Sequence, residues 1–419
     1  MREVVQITQC RTVRFASGER FPLVVDARGI PLIAATRYLA TRRNLALNTL
    51  ENTARTLAKV HDFLESRDVN IAERVAVGSA LTMDELTGLR DHLRTIGRRT
   101  ETILTRSSLR EPHNPRRRVV EHAEWYARCR RASAYLKWLI DAEMERASST
   151  SFERVRFEVK KLESRLTDLR PPPDRWEQTS LSVEERNALI ETVTVGSPKN
   201  PFSPTQQLRN MALIAAYYET GLRKSELLVL RRDDLLPPAL KPQLRLARRP
   251  HDEDDKRAKM PSVKTMPRTM PIAPDLYILL TSYVAADRSR LRKRFRERGD
   301  RSALKRLDQN PFVFISSTGS ALSLSSVHKI FDTLRNADPR LPINLSPHVL
   351  RRAWNDRFSE YCHGNGFPED RRAQREFYMG WAAHSSQAER YSRQSTSNAV
   401  ALAILNTQQR WSSWEQAQP

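Results

Sequence analysis

The sequence lacks long hydrophobic runs, heptad repeats and metal-ligand spacings. No segment approaches the roughly 20 consecutive apolar residues that a membrane-spanning helix needs, and the opening MREVVQITQC has no apolar stretch typical of a secretory signal. Three scattered cysteines, Cys10, Cys129 and Cys362, favour neither a disulfide framework nor a zinc site. We therefore expect a soluble, cytoplasmic, globular protein of two or three domains.

Positive charge is the feature present in greatest excess. The 419 residues include 71 Lys and Arg against 49 Asp and Glu, a net charge of +22. Such an excess, spread along the chain, is typical of nucleic-acid binding. Most of the positive residues are Arg, whose guanidinium binds phosphate through paired hydrogen bonds. Composition thus favours a DNA- or RNA-binding protein over a basic cytosolic enzyme from an arginine-rich proteome.

Hydrophobic periodicity predicts a mainly α protein with two helical domains. Apolar residues recur every three to four positions over 41–66, the spacing of an amphipathic helix, and Thr82 with Glu85 has the spacing of a capping box. Three prolines in RPPPDRW cannot sit in a helix interior and predict a stiff linker. The predicted regions are an arm or small strand pair, a helical bundle, the linker, a mostly helical domain with a small antiparallel β-sheet, and a tail, at 1–30, 31–169, 170–176, 177–410 and 411–419.

Two short stretches of the second domain predict its strands. Residues 243–248 and 261–273 alternate and contain prolines, as short strands of a small sheet do. The acidic run at 251–256 predicts a solvated loop between them. A short apolar run, PFVFI at 311–315, predicts a buried segment.

The segment TGLRKSELLVL, from residue 220, is the most informative stretch. Gly221 fits the left-handed position that closes a helix, and Ser225 with Glu226 predicts the start of another short helix. Arg223 then lies in the turn between two helices. Taken alone, it would more simply cap the carbonyls of the first helix.

Two further segments carry basic residues. VKTMPRTMPIAP, at 263–274, predicts a tight hairpin with Pro267 near its turn and Lys264 at the end of one strand, where a lysine is usually an edge charge. SPHVLRRAWNDRF, from residue 346, predicts a helix capped by Ser346. His348 and Arg351, three residues apart, fall together beside its core face.

A fourth segment, FYMGWAAHSSQAERYSR at 377–393, holds Trp381, His384 and Tyr391. Any one of these side chains alone would be an ordinary aromatic or structural residue. In this order, however, the four segments resemble the catalytic domain of the tyrosine recombinase (phage integrase) family. That family has an Arg in T-G-x-R-x-S-E-L, a hairpin Lys, an H-x-x-R helix, a His or Trp after Gly, and a Tyr about nine residues further on.

The resemblance covers residues 176–410, and 34–150 is more weakly similar to the family's helical core-binding, DNA-binding domain. It implies site-specific cleavage and rejoining of DNA through a 3′-phosphotyrosyl intermediate, in integration, excision or transposition. The resemblance implies a role for each of these residues. The two arginines are Arg223 and Arg351, with Glu226 as their helper, and the proton carriers are Lys264 and His348. The His or Trp that follows Gly, called the third-box residue, is Trp381 or His384, and the nucleophile is Tyr391.

One position departs from the family pattern. Trp381 lies ten residues before Tyr391, one more than usual, whereas His384 lies only seven before it. Both remain candidates, and Trp381 is favoured because it needs the smaller change in spacing, one inserted residue against two deleted ones.

The chemistry of these residue types agrees with the resemblance. Two guanidiniums would stabilise the negative charge that grows on a phosphodiester, and a phenol that loses its proton can attack phosphorus. A lysine would protonate the departing 5′ oxygen, and a histidine carries protons near neutral pH. The sequence has no Walker A loop, carboxylate cluster or Cys/His zinc pattern, so we expect no metal or nucleotide cofactor.

The expected partners are double-stranded DNA with specific recombination sites and further copies of the chain, as a homotetramer on synapsed DNA, with or without partner recombinases. Candidate DNA contacts are the basic clusters Arg98, Arg99, Arg116, Arg117, Arg118 and the helix at 288–301. Each could equally be a solvated charged face. Two alternatives stay open: a type IB topoisomerase-like enzyme, and an accessory DNA-binding protein of the same fold that does not cut.

Overall fold

The computed structural model describes residues 8–96, 119–146, 152–168, 180–237, 241–250, 252–364 and 372–382. The chain divides into two compact units, Met1–Trp176 and Glu177–Pro419. Both units are mainly α-helical, and the described residues of each form one small antiparallel sheet, which confirms the predicted fold class. None of the described helices combines the length and apolar character needed to cross a bilayer.

The first unit begins with two antiparallel strands, which pair from Gln9 opposite Val25 to Arg14 opposite Arg20. Helices follow, and their apolar stripes enclose one core. The elements are β1 (Gln9–Arg14), β2 (Arg20–Val25), α1 (Ile33–Ala40), α2 (Leu47–Ser66), α3 (Ile71–Ala76), α4 (Met83–Arg94), α5 (His122–Arg146) and α6 (Phe152–Thr167).

Of two helix starts predicted in this unit, one is confirmed and the other is wrong. The capping box predicted at Thr82 is present, with Glu85 N donating to Thr82 Oγ1 and Thr82 N donating to Glu85 Oε2. The stripe predicted over 41–66, by contrast, is helical only from Leu47. The amides of residues 42 and 43 donate to carbonyls three positions back, which closes a turn after α1 instead of continuing a helix.

The second unit has a larger core than the first. A three-stranded sheet, in the order β3-β4-β5, lies at one side of this core. Its elements are α7 (Val183–Val193), α8 (Pro204–Thr220), α9 (Lys224–Leu228), a 3-10 turn (Arg232–Asp234), β3 (Leu235–Leu236), β4 (Gln243–Leu246), β5 (Arg268–Pro271), α10 (Pro274–Glu297), α11 (Arg301–Gln309), α12 (Leu324–Ala337), α13 (Pro347–Gly364) and α14 (Arg372–Met379). The PFVFI segment is buried beside this core, as predicted.

The tight hairpin predicted at 263–274 is wrong. β5 pairs with β4, Leu244 lying opposite Met270 and Leu246 opposite Arg268, while 261–267 is outside any strand. Pro267 has no amide hydrogen to donate to a ladder. Lys264 therefore lies in the segment that leads into β5 and not at the end of a paired strand.

The acidic run at 251–256 is only partly a solvated loop, contrary to the prediction. Asp255 is buried and forms an ion pair with buried Arg257, with 2.6 Å between Oδ2 and Nη2. Arg257 Nη1 also donates to Leu228 O and Leu322 O, each at 3.0 Å. The carboxylate enters the interior because a buried guanidinium requires a counter-charge.

Candidate active site

The turn between α8 and α9 begins the site. Gly221 closes α8 in the left-handed conformation, with φ +61°, as the sequence predicted. A Cβ at this position would lie 2.9 Å from Met379 Cε and 3.0 Å from Trp354 Cγ. Glycine is required both for the backbone angle and for the close approach of α13 and α14 to the turn.

Arg223 stands at the start of α9, two residues before the predicted start at Ser225. Its backbone N donates to Glu226 Oε2 at 2.6 Å. The side chain is half-buried, and Nη1 donates to no residue within the described part of the chain. The simpler interpretation, an arginine capping α8, fits a different residue, because Gly221 O accepts from Arg351 Nη1 at 2.6 Å.

Arg351 is one of the largest fully buried side chains, only 1% exposed. Besides its bond to Gly221 O, it donates through Nη2 to Met379 O at 3.4 Å. Its guanidinium carbon lies 5.4 Å from the ring centroid of Trp381. Arg351 therefore joins α13 to the α8–α9 turn and to the end of α14.

Glu226 supplies the negative charge of this cluster and is itself 1% exposed. Its Oε1 accepts from Thr265 Oγ1 and, at 3.2 Å, from Arg268 Nη1, and its Oε2 lies 3.9 Å from Arg351 Nη1. Burial alone would raise the pKa of Glu226, but the guanidiniums of Arg268 and Arg351, together with hydrogen bonds from Thr265 and the Arg223 amide, outweigh it and hold the pKa below its ordinary value. The carboxylate is thus ionised and holds two arginines in place.

Trp381 lies at the end of α14, buried and packed with Met379. Its N donates to Glu376 O at 2.8 Å, and the preceding Gly380 is left-handed with φ +65°. Gly380 O accepts from Met266 N at 3.3 Å, which connects this segment to the one carrying Lys264. All four segments singled out in the sequence therefore contribute to one place in the second unit.

Lys264 and His348 lie on the exposed side of these elements. Lys264 is exposed and has no ion-pair partner among the residues that the structure describes. His348 is exposed on the first turn of α13, where its Nε2 is 3.3 Å from Arg352 Nη2. His348 and Arg351, expected to share one face, thus differ in burial.

Several predicted residues lie outside the described part of the chain. They are both the nucleophile and the second candidate for the third-box position, together with the basic clusters of the first unit: Tyr391, His384, Arg98, Arg99, Arg116, Arg117 and Arg118.

The predicted DNA-contacting helix at 288–301 is two elements, because α10 ends at Glu297 and α11 begins at Arg301. Arg288 within it is buried and donates to Leu307 O, Asn310 O and Phe312 O at 3.0, 3.0 and 2.6 Å. This arginine ties α10 to the chain after α11 and is not a surface contact, because it satisfies carbonyls that would otherwise be buried alone.

Arg268 and Thr265 complete the charged cluster, and none of the motifs in the sequence marks either of them as a site residue. The sequence pattern places Arg268 only in the predicted hairpin. Its spacing of two from Met270, which is buried on the same strand, was the available signal, since alternate residues of a strand share one face.

No family model and no curated protein matches this chain. Among the solved structures that resemble it are the following three. They are XerA recombinase (17% identity, covering 90% of this chain and 96% of that chain, TM-score 0.35), XerH site-specific recombinase bound to difH substrate in a pre-cleavage complex (17%, 85% and 80%, 0.49) and the Tn1549 transposon integrase in complex with transposon right end DNA (12%, 87% and 98%, 0.48). All three are recombinases or integrases. These TM-scores are below 0.5, so the function proposed for this chain rests on its own residues.

Proposed function

We propose that this chain is a site-specific DNA recombinase or integrase of the tyrosine recombinase family, which acts through a 3′-phosphotyrosyl intermediate. The observation that carries the proposal is the convergence at Glu226. Arg351 and the turn of Arg223 meet one buried carboxylate, and Trp381 lies against Arg351. These are the positions that the family pattern assigns to phosphate chemistry.

The two family arginines would play different parts. Arg223 is half-buried, and its Nη1 is enclosed and donates to no described residue, so this one nitrogen is a donor that a phosphate oxygen would satisfy. Arg351 is buried and donates to Gly221 O and Met379 O, so it would act through a fixed positive charge behind the phosphate. Fixed charges in a low-dielectric site stabilise the developing transition-state charge without reorganisation.

In the proposed cleavage step, the Tyr391 oxygen attacks the phosphorus and the bond from phosphorus to the 5′ oxygen breaks. The proton of the phenol passes to His348 or to water, and Lys264 gives a proton to the departing 5′ oxygen. Lys264 suits this role because it is exposed and has no ion pair among the described residues. Trp381 or His384 would orient the phosphate, and rejoining reverses these steps.

Cleavage can be tested with a DNA duplex taken from the flanks of the chain's own gene. The duplex carries a nick next to the expected cleavage site, so the short fragment released by cleavage dissociates and the covalent adduct is trapped. We expect the wild-type chain to form a covalent protein–DNA adduct and Tyr391→Phe to form none. The adduct should persist in EDTA, and its loss on chelation would contradict a metal-free reaction. Absence of an adduct from the wild-type chain on every candidate duplex would leave the accessory DNA-binding protein.

Strand exchange separates the recombinase from a topoisomerase-like enzyme. Two differently labelled duplexes should yield recombinant product, and the mass of the synapsed complex should correspond to four copies of the chain, or to copies together with partner recombinases. Relaxation of supercoiled plasmid without exchange would favour the topoisomerase-like alternative. Substitution of the candidate DNA contacts should weaken DNA binding and reduce its salt dependence. These contacts are Arg98, Arg99, Arg116, Arg117 and Arg118.

A further inference from the structure

We propose that Arg268 is a positioning residue that fixes the chain segment bearing Lys264 and thereby sets where the lysine ammonium lies. This inference rests on the proposed function, which gives Lys264 the role of proton donor. Arg268 itself has no role in that chemistry. Its side chain is 3% exposed, so it does not present a face to a substrate.

The guanidinium of Arg268 connects three parts of the second unit. Nε donates to the backbone of α14, and Nη1 is shared among the carboxylate on α9 and two groups of the segment preceding β5. The contacts are Tyr378 O at 2.7 Å, Glu226 Oε1 at 3.2 Å, Thr265 Oγ1 at 3.2 Å and Met266 O at 3.4 Å.

Two of these four contacts fall on Thr265 and Met266, the residues that directly follow Lys264. Thr265 Oγ1 donates to Glu226 Oε1, and Met266 N donates to Gly380 O at 3.3 Å. The Lys264 side chain is exposed and has no ion pair among the described residues. The position of the Lys264 ammonium therefore depends on the backbone of the two residues that follow it. Arg268 holds that backbone in place.

A lysine at 268 could not replace the guanidinium. Arginine presents Nε and its amino groups in a planar, rigid arrangement, so bonds in two directions are fixed together. An ammonium is a single point of charge on a flexible stem. It could remain beside Glu226, but it could not also reach Tyr378 O in the same fixed geometry.

Gly380 is adapted to this arginine. Its φ of +65° is the conformation that favours glycine, and a Cβ there would collide with Arg268 Nη1 and lie 2.9 Å from Arg268 Cζ. The guanidinium therefore lies directly against the backbone of the segment that carries Trp381. One side chain holds both the Lys264 segment and the Trp381 segment against the Glu226 carboxylate.

The inference can be tested by changing the leaving atom. Cleavage with a 5′ oxygen leaving group needs a proton from Lys264, whereas a bridging 5′ sulfur departs as a thiolate, because thiol pKa values near 8.5 lie far below those of alcohols. A residue that acts through Lys264 should matter for the oxygen substrate and not for the sulfur substrate. A residue that maintains only the fold should slow both equally.

Single-turnover cleavage is measured with the full chain on matched oxygen and sulfur duplexes, for wild type, Lys264→Ala and Arg268→Lys. We expect Lys264→Ala to slow the oxygen substrate by about 100-fold or more, the range of general acid catalysis. Arg268→Lys should slow it by up to about 100-fold, the effect of a misplaced catalytic group. Both variants should cleave the sulfur substrate within about threefold of the wild-type rate, because the sulfur leaving group needs no proton.

The matched control is Arg288→Lys, a buried arginine of the same unit that also donates to backbone carbonyls. It should leave the ratio of the oxygen and sulfur rates unchanged. If Arg268→Lys does not fold, as judged by circular dichroism, Thr265→Val removes one bond of the same network and should give a smaller slowing confined to the oxygen substrate.

The outcomes separate the two proposals. Parallel slowing of both substrates by Arg268→Lys, or no slowing of either, would overturn the positioning role while wild-type cleavage left the proposed function intact. Failure of sulfur to rescue Lys264→Ala would overturn the proton-donor role and the inference with it. No adduct from the wild-type chain on either substrate would refute the proposed function itself.

Discussion

In the first unit, His61 and Tyr135 share a hydrogen bond of 2.8 Å between neutral side chains, whereas in the second unit Glu226 lies between the guanidiniums of Arg268 and Arg351. Burial lowers the pKa of His61 to about 4, so its ring is uncharged at neutral pH. The first interior thus accommodates a titratable group by keeping it neutral, and the second keeps its carboxylate and guanidiniums ionised.

The difference between the two interiors bears on whether the buried charges of the second unit serve stability or function. A buried ion pair usually contributes no more stability than well-packed apolar residues would, because desolvation offsets the attraction. The first unit shows that this chain can satisfy buried polar groups without charge. The buried charge of Arg351, held by Glu226, therefore fits a need for fixed positive charge at the proposed phosphate site better than a need for stability.

Removing the central carboxylate should have the largest effect on stability. Glu226→Gln leaves the buried guanidiniums of Arg268 and Arg351 without their counter-charge, and we expect a loss of about 3–5 kcal/mol. Urea unfolding of the full chain, followed by circular dichroism, measures it. A loss below about 1 kcal/mol would show that the cluster is hydrated and that the two interiors do not differ as described.

The neutral pair should be less sensitive. Tyr135→Phe leaves His61 Nε2 without the hydroxyl that it contacts, and we expect a loss of about 1–3 kcal/mol, the range for an unsatisfied buried group. The same unfolding measurement applies, with Tyr38→Phe, in the adjoining ring of the cluster, as the comparison variant. Equal losses in both variants would mean that ring packing, and not the bond to His61, is being measured.

Acid should weaken the first unit through His61. Its folded pKa, about 4, lies below the ordinary value of 6.5, so the unfolded state takes up the proton first and stability falls as the pH drops from about 6.5 to about 4. Because the ring is only half-buried, we expect a loss of about 1–2 kcal/mol. Unfolding at pH 7 and pH 5 should show a shallower dependence for His61→Gln. An unchanged dependence would contradict a histidine that stays neutral in the folded protein.

The smallest effect should come from a carboxylate of the first unit. Glu51 is buried like Glu226, but its partner Arg55 is 53% exposed and can be hydrated. We expect Glu51→Gln to cost less than about 1 kcal/mol, as is usual for pairs open to water. A loss as large as that of Glu226→Gln would remove the contrast between the two units.

Local signals predicted correctly those features that depend on a few neighbouring residues. The capping box at Thr82 and the left-handed Gly221 were both expected, because each is formed by groups within four positions of one another. The hairpin at 263–274 was not correct, since the partner strand of β5 lies more than twenty residues earlier in the chain. Strand pairing is a property of the fold and not of the adjacent turn signals.

The sequence by itself determined the helical class of both units, their principal caps and the four segments that hold the candidate site. Only the tertiary structure decided that Arg351 is buried, that it caps the end of α8 in place of Arg223, and that Arg268 joins the cluster. The physical reason is range. Helix periodicity and capping depend on residues a few positions apart, whereas the burial of a charge depends on which distant carboxylate and carbonyls the packed chain brings to it.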